Sequence, residues 1–359
     1  INIARSWSDD LLEALVERYG EEKANRYYNA YKTAFPASYR EDFSPRGAVI
    51  DIGYIEQLSE ERQVTMSFYR HLEDQGRHLQ FQLFHEDEQL PLSDVIPVLE
   101  NLGMRVVGEH PYEIQRGDGR TIWLHDFSLE PAGQGEINLS EINEVFKDAF
   151  EQTWKGAAEN DSFNRLVLTA SLGWRQVSML RAYARYMKQV RFNFDQGYIA
   201  STLENHSDIT GLLLDLFTLR FDPEGSYSEE AEETLVAKIT EALDQVQSLT
   251  EDMILRRYMQ LMQATLRTNF YQPDADGKVK SYIAFKLDVN KIPDVPLPRP
   301  MFEIFVYSPR VEGVHLRGGK VARGGLRWSD RHEDFRTEIL GLVKAQQVKN
   351  AVIVPVGAK

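Results

Sequence analysis

The 359-residue chain contains no cysteine, which excludes disulfides, thiolate metal sites and a cysteine nucleophile. No apolar run approaches the roughly 20 residues that a membrane helix needs, and no secretory leader pattern opens the chain. Several chemistries are missing as motifs: there is no H-E-x-x-H, Gly-x-Ser-x-Gly, EF-hand loop or P-loop ending, and the eight histidines show no metal-ligand spacing. No Gly-x-Gly-x-x-Gly fingerprint of a dinucleotide site is present either. The net charge of −14 argues against a nucleic-acid partner. These absences leave a protein without membrane, metal or nucleic acid, compatible with the cytoplasm.

What is there reads as globular, with 42% hydrophobic and 27% charged residues in a chain long enough for more than one domain. Ser8 or Asp9 is expected to cap a first helix with Leu11, Leu15 and Tyr19 inward, stopped by Gly20. A second helical run covers Glu21 to Phe35, and Ser44-Pro45-Arg46-Gly47 reads as a linker, making residues 1–59 a helical N-terminal segment.

From residue 60 to 130 the period changes. Val64 to Tyr69 and Leu79 to Phe84 alternate as strands. Leu92 to Leu102 recurs at helical spacing, Met104 to Val107 and Tyr112 to Gln115 are extended pieces, and Thr121 to Leu129 returns after a Gly-Asp-Gly turn. This order suggests an α+β sandwich resembling ACT-type regulatory modules. Such modules commonly bind an amino acid beside a glycine where strand meets helix. Glu86-Asp87-Glu88-Gln89 stands there instead, which favours a structural or oligomerising role over an amino-acid effector site. Pro131 to Gly135 reads as a linker, residues 136–272 as a mainly α-helical domain, and residues 278–359 as the start of an α/β domain. Within the helical block, the arginines among Leu166 to Tyr186 read as polar faces of a packed helix.

The last fifty residues reverse the charge of the chain. Ten lysines and arginines stand there against five acids, giving +5 within a protein of −14, a local setting for an anionic ligand. Gly318-Gly319 and Gly324-Gly325 let the backbone turn through positive φ or approach a ligand with no Cβ in the way. Ser329 or Asp330 is expected to cap a helix with Phe335, Ile339, Leu342 and Val343 on one face, and Ala351 to Val356 reads as a buried strand. Gln346 and Lys349 share a helix face. A pocket shared by Lys349, Lys359 and the Arg323 loop would hold carboxylates by charge-assisted bonds and depress a lysine pKa towards neutrality, making it a usable base.

Three ordered elements of this stretch, Arg323-Gly324-Gly325-Leu326-Arg327, Gln346-Gln347-Val348-Lys349-Asn350-Ala351 and Gly357-Ala358-Lys359, resemble the start of the catalytic domain of glutamate dehydrogenases. The closest resemblance is to the large, bacterial, NAD-specific kind, in which a long N-terminal region precedes that domain. It implies a glutamate-dehydrogenase-type substrate domain at 278–359 and oxidative deamination of L-glutamate to 2-oxoglutarate and ammonia with hydride transfer to NAD. It implies Lys359 as the catalytic lysine, Lys349 with Gln346 on the α-carboxylate, and Arg323, where the family usually has lysine, on the side-chain carboxylate, with Lys320 a rival for that role. The nucleotide site would lie after residue 359, so the chain reads as an internal segment that is inactive by itself and belongs to a homo-oligomer. The alternative is an amino-acid-sensing or oligomerisation module without catalysis.

Overall fold

The computed structural model describes residues 6–70, 78–133, 137–320 and 324–353, with side chains of the last segment through Gln346. The chain forms two compact units, Ile1–Glu151 and Gln152–Lys359. Both combine helices with antiparallel sheet, so the fold is α+β.

The first unit opens with four helices, α1 (Trp7–Tyr19), α2 (Glu21–Tyr31), α3 (Ala37–Asp42) and α4 (Pro45–Ile55). Ser6, rather than Ser8 or Asp9, caps α1. Its Oγ accepts from Asp9 N at 3.2 Å while Asp9 accepts from Ser6 N at 2.9 Å, a closed capping box. Ser44-Pro45 is not a linker but the beginning of α4. Ser44 Oγ accepts from Gly47 N at 3.2 Å, and Pro45 sits in the first turn, where a missing N–H costs nothing. Aromatic rings at four-residue spacing line the inside, with Phe35–Tyr39 and Tyr39–Phe43 centroids 4.5 and 4.6 Å apart.

The sheet follows: β1 (Val64–Tyr69), β2 (Leu79–Glu86), α5 (Leu92–Asn101), β3 (Met104–Gln115), β4 (Thr121–Pro131) and α6 (Leu139–Trp154). Strand order is β1-β2-β4-β3, every pair antiparallel. The two extended pieces expected at 104–107 and 112–115 are one strand, irregular between Val106 and Gly108. Alternation gives the sheet two covered faces. Phe84, Leu124, Tyr112 and Ile114 pack on the N-terminal helices. Phe68 and Phe81 pack against Phe146 and Phe150 of α6, which belongs to this unit as far as Glu151.

Between α3, α4 and the sheet lies a buried acid. Asp51 is 3% exposed, and Tyr39 Oη donates to it at 2.5 Å. Burial pushes its pKa up to about 7, opposed by hydrogen bonds from Tyr39 and Gln82. The nearby Asp126 is raised to about 6 by burial as well. A carboxyl whose folded pKa exceeds its unfolded value gives stability that is complete below about pH 4 and lost as pH rises through about 7. Asp51→Asn keeps an acceptor for Tyr39 and removes the titration. In urea unfolding, the stability difference between variant and wild type is expected to shift in the variant's favour from pH 5 to pH 8, by on the order of 1–3 kcal/mol. A pH-independent difference would show that Asp51 does not titrate there.

The second unit begins with α7 (Leu166–Thr169), α8 (Trp174–Gln189), α9 (Gln196–Asn205), α10 (Ser207–Phe221), α11 (Glu229–Leu243) and α12 (Leu249–Ala264). Ser228 caps α11 by accepting from Ala231 N. The sheet is β5 (Thr265–Thr268), β6 (Ile283–Leu287), β7 (Phe302–Tyr307) and β8 (Glu312–Arg317), antiparallel throughout in that order. Arg267 and Thr268, just after α12, thus pair with β6 as a strand. α8 lies against this sheet: Tyr183 stacks on Phe285 at 4.1 Å, and Tyr186 packs on Phe305 at 5.4 Å.

The last helix, α13 (Phe335–Ile353), differs from expectation at both ends. Ser329 does not cap it, because its hydroxyl accepts from Arg331 N and donates to Glu338. Residues 351–353, expected to open a strand, remain helical; the rest of that expected strand lies outside the described residues.

Candidate functional site

In the second unit, β8, the glycine-rich segment after it and α13 enclose an open cavity of about 1590 Å³. Its floor is Glu312 to Leu316 of β8, where the sheet alternation turns alternate side chains inward. The apolar stripe of α13, Phe335, Ile339, Leu342 and Val343, forms one wall as its helical spacing requires, and Gln346 stands on the same helix. Lys320, Gly324 and Gly325 lie on the rim. Nothing comes within 4 Å of where a Cβ would stand at Gly319, Gly324 or Gly325, and none of the three has positive φ. They leave room beside the cavity rather than make a turn.

Of the residues singled out in the sequence, Lys320, Gly324, Gly325 and Gln346 therefore share one cavity. Lys349 belongs to α13, with its side chain outside the described atoms, and Arg323 and Lys359 lie outside the described residues.

The helical block contributes a wall that sequence reading missed. Arg185 and Lys188, one turn apart on α8, both line the cavity, with Glu159 beside them. Arg185 donates to Glu159 at 2.6 Å and lies 3.6 Å from Glu312. Burial raises the Glu312 pKa, with Arg185 acting against it. Glu159 also accepts from Tyr307 Oη at 2.8 Å, tying this charge cluster to β7. Arg181 and Arg185, four apart on α8, look alike in the sequence. Arg181 is fully buried on Asp161, held by two bonds of 2.8 Å, whereas Arg185 faces the cavity. On the rim, Arg327 pairs with Glu338, whose pKa is lowered by hydrogen bonds from Ser329 and Arg327. The cavity thus offers cations from two directions around an apolar wall, suited to a small ligand with more than one carboxylate.

Comparisons agree with this layout. Residues 238–359 match the family described as bacterial NAD-glutamate dehydrogenase, catalytic domain. Residues 158–223 match glutamate dehydrogenase helical motif 3, residues 63–142 its ACT3 domain and residues 14–58 its helical motif 2. The chain belongs to the bacterial NAD-specific glutamate dehydrogenases. It is 56% identical over 359 residues to the NAD-specific glutamate dehydrogenase of Halomonas elongata and 55% identical over 363 to that of Pseudomonas aeruginosa, covering all of this chain in both. The Mycobacterium tuberculosis protein of the same name is 42% identical over 364 residues, covering 99% of this chain. The chain spans 22% of the length of each of these relatives.

Both sheets are antiparallel, so neither offers the crevice at the carboxyl ends of parallel strands where a dinucleotide sits. No described helix is long and apolar enough to cross a membrane.

Proposed function

We propose that this chain supplies the substrate side of a glutamate dehydrogenase, the cavity between β8 and α13 receiving L-glutamate or 2-oxoglutarate. One observation carries the reading: the glycine-rich segment and Gln346, distant in sequence, border the same cation-lined cavity. In this reading Lys349 and Gln346 hold the α-carboxylate, and Arg323 or Lys320 meets the side-chain carboxylate. Lys359 polarises the carbonyl or imino carbon and activates the water that adds to it. The substrate's hydride goes to NAD, held by a part of the protein outside these residues. The ACT3 segment has a structural or oligomerising role in a cytoplasmic homo-oligomer.

The test is made in the full-length protein. Losing a bond between Lys349 and a carboxylate removes a charge-assisted contact, so Lys349→Ala is expected to raise KM for glutamate about 10- to 100-fold. KM for NAD should stay within about twofold, because the lost contact is not to the nucleotide. A glutamate KM that does not move would take Lys349 off the substrate. Comparing Lys320→Ala with Arg323→Ala assigns the second carboxylate to whichever variant loses discrimination between glutamate and a shorter amino acid.

A further inference from the structure

The start of α13 has an unusual solution to its unpaired amides. Asp334 precedes the helix, and its carbonyl accepts from Thr337 N and Glu338 N. Its carboxylate, which would ordinarily cap the first turn, is bonded by Arg331 instead, with Nε at 2.8 Å. The amide of Arg336 is served from another element. Gln189, the last residue of α8 and 1% exposed, accepts from Arg336 N at 3.1 Å through Oε1. Its Nε2 donates to His332 O at 3.1 Å and Glu333 O at 3.4 Å. One buried amide side chain thus spends both its ends on three backbone groups of the segment leading into α13. Lys188, next to it, reaches the Glu333 carboxylate and lines the cavity.

Helices transmit such a constraint. With a rise of about 1.5 Å per residue, the ten steps from Arg336 to Gln346 make a rod of about 15 Å whose direction is set at its base. We propose that Gln189 is a positioning residue: it caps α13 from the helical block and so fixes where Gln346 stands over the cavity. On this view the helical block sets the substrate affinity of the neighbouring domain. The inference rests on the reading that this cavity takes the substrate, and its test separates the two.

Gln189→Met keeps the shape of the side chain and removes all three bonds. Gln189→Glu keeps the acceptor for Arg336 N and loses both donors. In the full-length protein Gln189→Met is expected to raise KM for glutamate about 10-fold, with KM for NAD within about twofold and kcat changed less than KM. Gln189→Glu, which turns a buried carboxylate towards the carbonyls of His332 and Glu333, should raise KM for glutamate at least as much, and Gln189→Leu carries the test if Gln189→Met does not fold. In the 359-residue chain, hydrogen exchange at the amide of Arg336 should accelerate in Gln189→Met while the amides of α8 keep their protection. A protein whose wild type turns over no glutamate sinks the functional reading alone, and the exchange result then decides the capping. Unchanged exchange at Arg336 overturns the proposal. So does a fall in thermal stability with both KM values unchanged or moved equally, which is what a merely structural glutamine would give.

Discussion

Full-length protein carrying Lys359→Met is expected to turn over glutamate about 10³-fold more slowly than wild type while still binding 2-oxoglutarate within a few-fold of the wild-type affinity. The split follows from what each cation does in the proposed site. Lys349, Gln346 and either Arg323 or Lys320 hold carboxylates that are charged throughout the reaction, so they bind ground state and transition state alike. Lys359 acts on the carbon that changes. Its amine must give up a proton near neutral pH to activate water. Placed among other cations, as the proposed site requires, a lysine favours its neutral form. Methionine keeps the length of the side chain and removes the nitrogen. Steady-state kinetics with calorimetric binding of 2-oxoglutarate provides the check. A kcat reduced less than about 10-fold would place the catalytic base elsewhere, with Glu312, raised in pKa and lining the cavity, the first alternative to examine.

Much of this architecture was legible where the periodicity is clean. Leu79 to Phe84 is legible as a strand because successive side chains point to opposite faces of the sheet, and β2 covers 79–86. The helix ends were less legible because capping is a competition among neighbouring candidates. Ser6, Ser8 and Asp9 are all capable of capping α1, and only the closed Ser6–Asp9 pair satisfies both partners. Ser329 and Asp330 looked equally good for α13, but tertiary partners engage the flanking groups: Ser329 goes to Glu338 and Arg331 takes the carboxylate of Asp334. The strand β8 escaped notice because Glu312-Gly313-Val314-His315-Leu316 carries charges and a glycine, weak strand formers that tertiary pairing with β7 overrides.

The candidate site was legible as an ordered set of residues and not as a surface. Gly324, Gly325, Lys320 and Gln346 were singled out through the ordered elements and the resemblance they carry, and all four border the cavity. Arg185 and Lys188 were passed over because a helix with a basic residue on nearly every turn offers no way to tell a buried arginine from a cavity-facing one. The distinction is made by partners remote in sequence: Asp161 for Arg181, and Glu159 with Glu312 for Arg185.

The same logic predicts the most damaging single change to the fold of the second unit. Arg336 and Glu303 are 1% and 0% exposed, joined by two bonds of 2.5 and 2.9 Å, with Arg336 on α13 and Glu303 on β7. Two ions taken out of water hold each other at close to break-even, yet one left without its partner keeps its full desolvation cost. Arg336→Met is therefore expected to destabilise the chain by about 3–5 kcal/mol, measured by urea unfolding of the 359-residue protein. Adding Glu303→Leu removes the stranded charge and should recover most of that loss, since an apolar pair of similar volume replaces the ionic one. The double variant also separates stability from position. Its α13 would keep the Gln189 cap without the ion pair, so stability near wild type together with faster exchange at the residue-336 amide would mean that the ion pair, like the glutamine, steers the helix. A double variant as unstable as Arg336→Met would instead mean that the guanidinium is needed for its contacts with Tyr186, whose hydroxyl it faces together with Glu303.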